Sequence, residues 1–404
     1  MDDLVGMTTG QRVRYFRERA GMTRPVLGGL VGRSAEWVKA VENDRLMTPR
    51  IPLLLRLAEV LQVDDLAQLT GELKLTTAAF TKPAHEALPT VAEALETYPV
   101  LTGDVTPVSA TALAERVVQL WSVWHGTKRQ RTAIAGFLPD LLQDAQIAIR
   151  LLDGADRRSA QRSLAQICHL TQLFLSYQSV PELSHLVADR AFTAAQEADD
   201  PHAMAAAAWY LNHYFRAAGE RYEARVKVVT DTARLLRPDE STEALALWGL
   251  LQLAAATGYA KIGQEGNAWR YWDAADRAAR SLPDGYVHPY LIFGTGMVDA
   301  YAITLHTDLM HEREALRAAD RSDPTTMPSV TRRSFHSIET ARAYHLHREP
   351  VAMVHLLRKA YDESPDTARF NGFARSAVTE LLHHRGNTIR AEVDDLARKF
   401  DIAG

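Results

Sequence analysis

Residues Thr9–Gly71 read TGQRVRYFRERAGMTRPVLGGLVGRSAEWVKAVENDRLMTPRIPLLLRLAEVLQVDDLAQLTG. Apolar residues recur in this stretch at helical spacing, in short blocks, which predicts a unit of five short helices. The blocks are Val13 and Phe16, then Val26, Leu27 and Leu30, then Val38 and Val41, then Leu54, Leu57, Ala58 and Leu61.

Residues that end and begin helices separate these blocks. We expect Gly21 to end the first helix, and Thr23 to cap the second with Pro25 in its first turn. Gly32 is expected to end the second helix, and Ser34 to cap the third. Two short helices joined by a turn of about three to four residues with a glycine form a helix-turn-helix arrangement.

The stretch resembles the DNA-binding domain of the Xre/Cro repressor family over nearly its full length. The matching positions are Arg14 and Arg17, then Met22-Thr23-Arg24 with Leu27 and Gly28, then Gly32-Arg33-Ser34, then Trp37 to Glu42 as the recognition helix. Three positions depart from the family pattern: Arg24 replaces a glutamine, Gly28-Gly29 interrupts the second helix, and Asp44 replaces a common glycine. The resemblance implies a lambda-repressor-like fold that binds double-stranded DNA.

A recognition helix exposes its N-terminal residues to base edges in the major groove. The residues expected on that surface are Ser34, Ala35, Glu36, Lys39, Ala40 and Asn43, with Val38 and Val41 facing inward. Arg24 is expected to reach a phosphate or a guanine edge, and Glu36 a cytosine amine. Arg33, Arg45 and Arg50 are candidates for phosphate contacts. Glu42 is expected to pair with Arg14 or Arg17.

Charge supports this interpretation. Residues 1–62 contain ten Lys and Arg against seven Asp and Glu, so their net charge is +3, whereas the whole chain carries −4 and the remainder therefore −7. Only the first segment has a sign suited to a polyanion. The alternative is a helical protein-interaction module that does not bind DNA.

Length and composition are those of a soluble globular protein. The chain has 404 residues, of which 47% are hydrophobic and 24% charged, enough for two or three units with a buried core. Its single cysteine, Cys168, lies in a helical pattern and is expected to be buried. No apolar run is long enough for a membrane span, and the acidic start MDDLVGM lacks an export signal. We expect a cytoplasmic protein.

Prolines divide the chain after the first unit. Pro83, Pro89, Pro99 and Pro107 interrupt the helical pattern, with one short helix expected around Thr90–Thr97. We therefore predict a DNA-binding domain at residues 1–71, a connector at 72–110 that lets this domain change position, and a helical domain at 111–404.

The remainder of the chain shows no sustained strand-like alternation, so the predicted fold is all-α, with antiparallel helices of 14–24 residues. A repeat is indicated by Gly219, by Gly263, by a weaker copy near Met310 and by His347, which stands in the glycine position. The small residues of these copies are Ala224, Ala268, a position at about 310 and Ala352, which gives a period of 42–44 residues. The pattern resembles degenerate tetratricopeptide repeats, which implies a solenoid. A helical bundle without repeat curvature is the alternative.

Such a solenoid has a concave face suited to a peptide or small ligand. Aligning the chain with the repeat pattern places eight candidate ligand-binding residues on this face: Trp209, His213, Arg216, Thr257, Thr295, Asp299, Ser337 and Tyr344. Arg216 with His213 is suited to a carboxylate and Asp299 to an amine. For each residue taken singly, the alternative is a solvated position or a contact between helices.

The combination of an Xre-like domain with such repeats resembles the peptide-sensing quorum regulators of Gram-positive bacteria and a group of actinobacterial regulators. The resemblance implies a homodimeric transcription regulator whose repeats sense a peptide or small molecule and control operator binding. The alternative is an adaptor or antitoxin-like protein whose repeats bind a protein partner.

The sequence gives little support for an enzyme. The histidines, such as His311, His345 and His347, lack the spacing of two metal ligands one helical turn apart around a glutamate. Gly294-Thr295-Gly296 lacks the third glycine of a dinucleotide site. We expect no catalytic residue, no metal and no cofactor.

Overall fold

The computed structural model describes residue 4 and residues 6–71, 82–100, 104–218, 222–383 and 389–402. Among these residues there are helices, turns and loops but no β-strand, so the predicted all-α fold is confirmed. The side chains of residues 214–218 and 383 are outside the description, and so is that of the candidate ligand residue Arg216.

The N-terminal unit, called the head below, consists of five short helices. They are α1 (Thr9–Arg19), α2 (Arg24–Leu30), α3 (Ala35–Glu42), α4 (Ile51–Leu61) and α5 (Leu66–Thr70). Val13, Leu27, Val38, Leu57 and Leu69 are almost completely buried at its centre. Burial of each such side chain stabilises the fold by about 1.5–3 kcal/mol, which is what holds so small a unit together.

The predicted helix ends in the head are confirmed. Gly21 and Gly32 follow α1 and α2 with φ angles of +64° and +65°, a left-handed conformation that glycine adopts without strain. The Thr23 hydroxyl accepts a hydrogen bond from the backbone of α2, with Pro25 in the first turn. The Ser34 hydroxyl caps α3 by accepting from the Trp37 N–H at 3.0 Å.

A second set of helices forms a long array that begins at Ala110. The helices are α6 (Leu88–Glu96) in the predicted connector and, in the array, α7 (Ala110–Gly126), α8 (Gln130–Ala135), α9 (Leu138–Leu151), α10 (Gly154–Leu175), α11 (Pro181–Glu197), α12 (Pro201–Ala218), α13 (Tyr222–Ala233), α14 (Thr242–Lys261), α15 (Glu265–Arg280), α16 (Thr295–Asp308), α17 (Glu312–Arg321), α18 (Val330–Leu346), α19 (Pro350–Glu363), α20 (Pro365–Phe370), α21 (Gly372–His383) and α22 (Arg390–Lys399). Their lengths run from 6 to 22 residues, so the predicted lower limit of 14 is too high.

Packing in the array runs mainly between helices that follow one another in the chain, above all α14 on α15, α18 on α19 and α10 on α11. One apolar core extends from Val91 to Val298, and a second from Ile338 to Ile402. Cys168 is fully buried in the first core, as predicted.

The turns between paired helices correct the predicted repeat. Left-handed backbone occurs at Gly263, Met310 and Arg348, which are 47 and then 38 residues apart, so the spacing is not the constant 42–44. Arg348, and not His347, occupies the glycine position of the last copy. The buried residue five positions on is alanine after Gly263 and Met310, and Met353 after Arg348, while Gly219 of the first predicted copy lies outside the described residues. Local turn geometry recurs while the helix lengths between turns vary.

The described part of the predicted connector belongs to the array core. Val91 and Leu95 of α6 are fully buried and pack against α9 and α11. His85 is also buried, and its backbone N–H donates to the Gln178 side chain at 2.8 Å. Only residues 72–81 separate the head from this fixed segment, and they lie outside the described residues.

Candidate nucleic-acid interface

The helix-turn-helix geometry rests on one buried carboxylate at the end of α3. Glu42 has no exposed side-chain surface and accepts from the Arg17 Nε at 2.5 Å and from the Arg24 Nε at 2.7 Å. The predicted Glu42–Arg17 pair is therefore confirmed, whereas Arg14 pairs with Glu18 instead. Since Arg17 lies on α1 and Arg24 on α2, this carboxylate ties three helices together. It also raises the pKa of Arg17 through the hydrogen bond between them, against the lowering effect of burial.

An open depression lies beside the first half of α3. It is lined by Arg14, Arg17, Glu18, Met22, Thr23, Arg24, Pro25, Ala35, Glu36 and Lys39. Four of the predicted DNA-contacting residues, Arg24, Ala35, Glu36 and Lys39, meet here. Four basic side chains line the depression against two carboxylates, and the buried Glu42 that pairs with Arg17 and Arg24 is a third, so one net positive charge remains, which suits a polyanion.

The exposed side of α3 agrees with the prediction except at one position. Glu36 and Lys39 are exposed and pair with each other at 3.2 Å, while Asn43 is exposed just beyond the helix. Val38 and Val41 are buried, as expected. Ala40, predicted to be on the surface, is only 2% exposed. It lies between Val38 and Val41 on the broad face that α3 buries.

Other predicted contact residues point elsewhere. The Arg33 Nη1 donates to the Gly32 carbonyl at 2.8 Å, with its guanidinium 5.8 Å from the centre of the Trp37 ring. Arg45 pairs at 3.1 Å with Glu312, a residue of the array. Arg50, which is exposed, lies against Gly372 at the start of α21. These three basic side chains thus lie outside the depression.

Arg14, Glu18 and Thr23 line the depression but were not predicted as interface residues. The sequence indicates that Arg14 is exposed, because it lies one helical turn from Glu18 on the polar side of α1. Sequence spacing alone does not show that this side of α1 adjoins α3.

The structure describes the side chains of seven of the eight residues predicted to bind a ligand, all but Arg216. Trp209 is buried, with its ring 4.5 Å from that of His213 and 6.0 Å from that of Tyr301. Thr257 is buried and its hydroxyl donates to the Ala254 carbonyl in the same helix, and Thr295 is exposed at the start of α16.

The other three described members of the set also have partners within the array. Asp299 faces Arg280 at 3.4 Å rather than an open amine site, and burial raises its pKa. The buried Ser337 hydroxyl donates to the Arg333 carbonyl at 3.3 Å. Tyr344 packs against the second core. Asp299 and Tyr344 thus contact other helices, whereas the Ser337 hydroxyl bonds within its own helix, and ligand binding by the set stays a prediction.

A group of rings that the sequence did not single out lies next to Trp209. We call Trp121, His125, His169, Tyr210 and Tyr290 the inner aromatic cluster. The Trp121 ring lies 5.2 Å from that of Tyr290, 5.7 Å from that of His125 and 6.4 Å from that of Tyr210, which in turn stacks on His169 at 4.4 Å. The rings come from α7, α10, α12 and the loop before α16, so only the tertiary fold assembles them.

Burial controls the ionisation of this cluster. It lowers the pKa of His169 to about 3 and that of His125 to about 4, so both imidazoles are neutral. Burial also raises the pKa of the Tyr210 hydroxyl, and the nearby Arg332 cation acts in the opposite direction. Neither ring nitrogen of His169 has a hydrogen-bond partner in the described part of the chain, nor does the buried Nε1 of Trp209.

Within the described ranges, no group of three or more His, Cys, Asp or Glu side chains is arranged to hold a metal ion. No helix in that part of the chain combines the length and apolar character needed to cross a bilayer.

Comparison with known proteins agrees with the geometry of the head. A family profile described as a helix-turn-helix domain matches residues 9–69. No curated protein and no solved structure matches the chain. The matched residues begin with α1 and end within α5, and they include the Glu42 carboxylate that joins α1, α2 and α3. The N-terminal part of this chain is a helix-turn-helix domain.

Proposed function

We propose that the chain is a sequence-specific, DNA-binding transcription regulator that inserts α3 into the major groove with Ser34 leading. The observation that carries the proposal is the positively charged depression beside the exposed Glu36 and Lys39. A duplex lying across this surface places phosphates near Arg14, Arg24 and Lys39, and base edges near Ala35 and Glu36.

A single head of this size presents one short recognition helix. We therefore propose that the regulator acts as a homodimer on a two-fold operator, with half-sites about one helical turn apart. Binding to chromosomal DNA implies a cytoplasmic location, and we assign the protein no catalytic role.

The test is duplex binding by the full chain and by Lys39→Ala. Loss of one phosphate contact lowers the slope of log K against log salt by about one and weakens binding to all duplexes. Lys227→Ala is the matched control, because Lys227 is an exposed lysine that pairs within α13 of the array. Equal affinities and salt slopes for wild type and Lys39→Ala would refute the assignment of α3 as the reading helix.

Arg24→Ala tests the interface less cleanly than Lys39→Ala. Arg24 lies in the depression but also donates to the buried Glu42, so its removal changes both the surface and the packing of the head. Lys39 is 50% exposed and pairs only with its neighbour Glu36 among the described residues. Weakened DNA binding by Lys39→Ala therefore reports on the surface alone.

We further propose that the array senses a peptide or small molecule that carries an acidic group, and that this ligand controls operator binding. The Arg332 cation of α18 has a lowering effect on the pKa values of His125 and Tyr210, smaller than the effect of burial on each. In the described residues its guanidinium has no hydrogen bond or ion pair. A cation without such a partner, acting on a buried aromatic cluster, suits a carboxylate, sulfonate or phosphate attached to an apolar body.

The fluorescent anion 8-anilinonaphthalene-1-sulfonate is a suitable probe for this proposal. Loss of a charge-assisted hydrogen bond costs at least about 1.5 kcal/mol, so Arg332→Gln should weaken probe binding about tenfold or more. Arg277→Gln is the control, since Arg277 is an exposed arginine of α15. Identical probe affinities in wild type and Arg332→Gln would contradict the proposal. A stable co-purifying protein, with no small ligand affecting DNA affinity, would favour the adaptor function instead.

A further inference from the structure

The array carries a surface that fits the two ends of α3. Its contact residues are Gly263, Glu312 and Arg348, which lie in or beside the turns between paired helices, and Gly372 at the start of α21. We propose that this surface holds the head in a docked state that competes with duplex DNA, so that DNA binding requires release of the head from the array. The inference rests on the proposed function as a DNA-binding regulator.

An ion pair joins the C-terminal side of α3 to the array. The Arg45 guanidinium lies 3.1 Å from the Glu312 carboxylate of α17, and each side chain is about 70% covered. Glu312 thus occupies a position on Arg45 that a DNA phosphate would take. The pair also fits the charges of the two parts, +3 for residues 1–62 and −7 for the remainder.

A close backbone approach joins the N-terminal end of α3 to the array. Gly263 lies in the turn between α14 and α15, and a Cβ at this position would overlap the Cβ of Ser34. Ser34 is the residue that caps α3 and would lead it into the groove. The turn therefore covers the end of the helix that approaches DNA first.

Two further contacts extend the surface. The Arg348 Nη2 donates to the Asn43 carbonyl, just after α3, at 3.0 Å. The Arg50 guanidinium lies so close to Gly372 that a Cβ at this glycine would overlap it. Met47 packs against the second core of the array. The docked head is thus held on both sides of α3, by polar contacts and by an apolar one.

The array would compete with DNA because it contacts groups of the head that DNA would also contact. Arg45 and Arg50 are basic residues of the head suited to phosphates, and both lie against the array. Because Ser34 would lead α3 into the major groove, the Gly263 turn that lies against Ser34 occupies space that the duplex would take. Glu36 and Lys39, in the middle, stay exposed. A partly covered ion pair is weak enough for docking to be reversible.

Two single variants and their double combination in the full chain test the inference. Glu312→Gln removes the ion pair and should raise duplex affinity about two- to fivefold, as the population of released heads rises. Gly263→Ala forces the turn away from Ser34 and should raise it at least about fivefold. The probe is a fluorescein-labelled duplex of mixed sequence at roughly 50 mM salt, followed by fluorescence anisotropy.

Each variant has a matched control. Glu314→Gln removes the same charge from an exposed position of α17 whose side chain does not contact the head. Gly285→Ala places alanine on a glycine with φ of +71°, close to the +76° of Gly263, but into open space. Both controls should bind the duplex like the wild type. Small-angle scattering reports release independently, as a larger radius of gyration.

The outcomes separate this inference from the proposed function. Release with increased duplex affinity supports both. Release in the double variant with duplex affinity equal to that of the wild type overturns the inference while the proposed function stands. An unchanged radius of gyration in the double variant also overturns the inference, because these contacts would then not hold the head. If the released double variant binds no duplex at low salt, the proposed function fails and the inference fails with it.

Discussion

Replacement of Glu42 by alanine should strongly destabilise the head while leaving the array folded. Glu42→Ala leaves the Arg17 guanidinium, whose side chain is 8% exposed, without its carboxylate. Removing one partner of a buried ion pair typically costs about 3–5 kcal/mol. The Met22 carbonyl and Glu18 remain as partners of Arg17, so we expect the lower end of this range. Loss of the half-exposed Arg24 contact adds less than about 1 kcal/mol.

The free energy of unfolding of the head determines how strongly Glu42→Ala affects it. A unit of about 60 residues has a free energy of unfolding of roughly 3–9 kcal/mol, so a loss of about 3–4 kcal/mol removes a third or more of it and raises the equilibrium constant for unfolding of the head by about 10²–10³. Hydrogen exchange measured by mass spectrometry reports the head and the array separately in the same molecule.

The control for this prediction is Glu36→Ala. The Glu36 carboxylate is exposed and, among the described residues, pairs only with Lys39, so its removal should change stability by less than about 0.5 kcal/mol. Amides of α1 to α3 should exchange far faster in Glu42→Ala than in Glu36→Ala. If the two variants protect these amides equally, the buried carboxylate does not hold the three helices together and the reasoning is wrong.

Two further predictions concern neighbouring glycines and a buried histidine. Gly28→Ala should destabilise the head by about 1–3 kcal/mol, because the new Cβ would lie 2.7 Å from the Arg33 carbonyl oxygen. The Cβ of Gly29→Ala meets nothing within 4 Å, so this variant should stabilise α2 by about 0.5–1 kcal/mol. A change of the melting temperature in the same direction for both variants would contradict this prediction. His169 has a pKa of about 3 in the fold against 6.5 when exposed, so the unfolded chain binds the extra proton and stability falls as the pH drops below about 6.5. Between pH 6 and 4, His169→Gln should reduce the pH dependence of the free energy of unfolding by up to about 1.4 kcal/mol per pH unit. The measurement is urea unfolding over this pH range. If the free energy of unfolding changes equally with pH in wild type and His169→Gln, His169 is not the group responsible.

Local chemistry made the head predictable. Helix caps such as Thr23 and Ser34 act within three residues of their own position, so their roles follow from the sequence alone. The left-handed turns at Gly21 and Gly32 are equally local. For the same reason, the periodicity of the sequence predicted the all-α fold that the described residues show.

Burial was less predictable, because it depends on what each helix faces. Val26 and Leu30 belong to the apolar pattern, yet they are 49% and 45% exposed, whereas Ala40 on the predicted surface is buried. Asp44, which departs from the family pattern, adopts the left-handed backbone of the glycine it replaces, and its carboxylate accepts from the Thr8 hydroxyl at 2.6 Å. This long-range contact explains why aspartate fits there.

The sequence by itself determined that the described parts of the chain are all-α and that the first 71 residues carry a helix-turn-helix with capped helices, since those features depend on neighbours in the chain. Tertiary structure alone decided that Arg24 and Arg17 share Glu42, that Arg45 faces Glu312, and that rings from separate helices meet around Trp121. These contacts join residues from 18 to 267 positions apart. At such separations a side chain has many equally suitable partners in the sequence. The packing of the helices decides which of them it contacts, and local sequence patterns do not specify that packing.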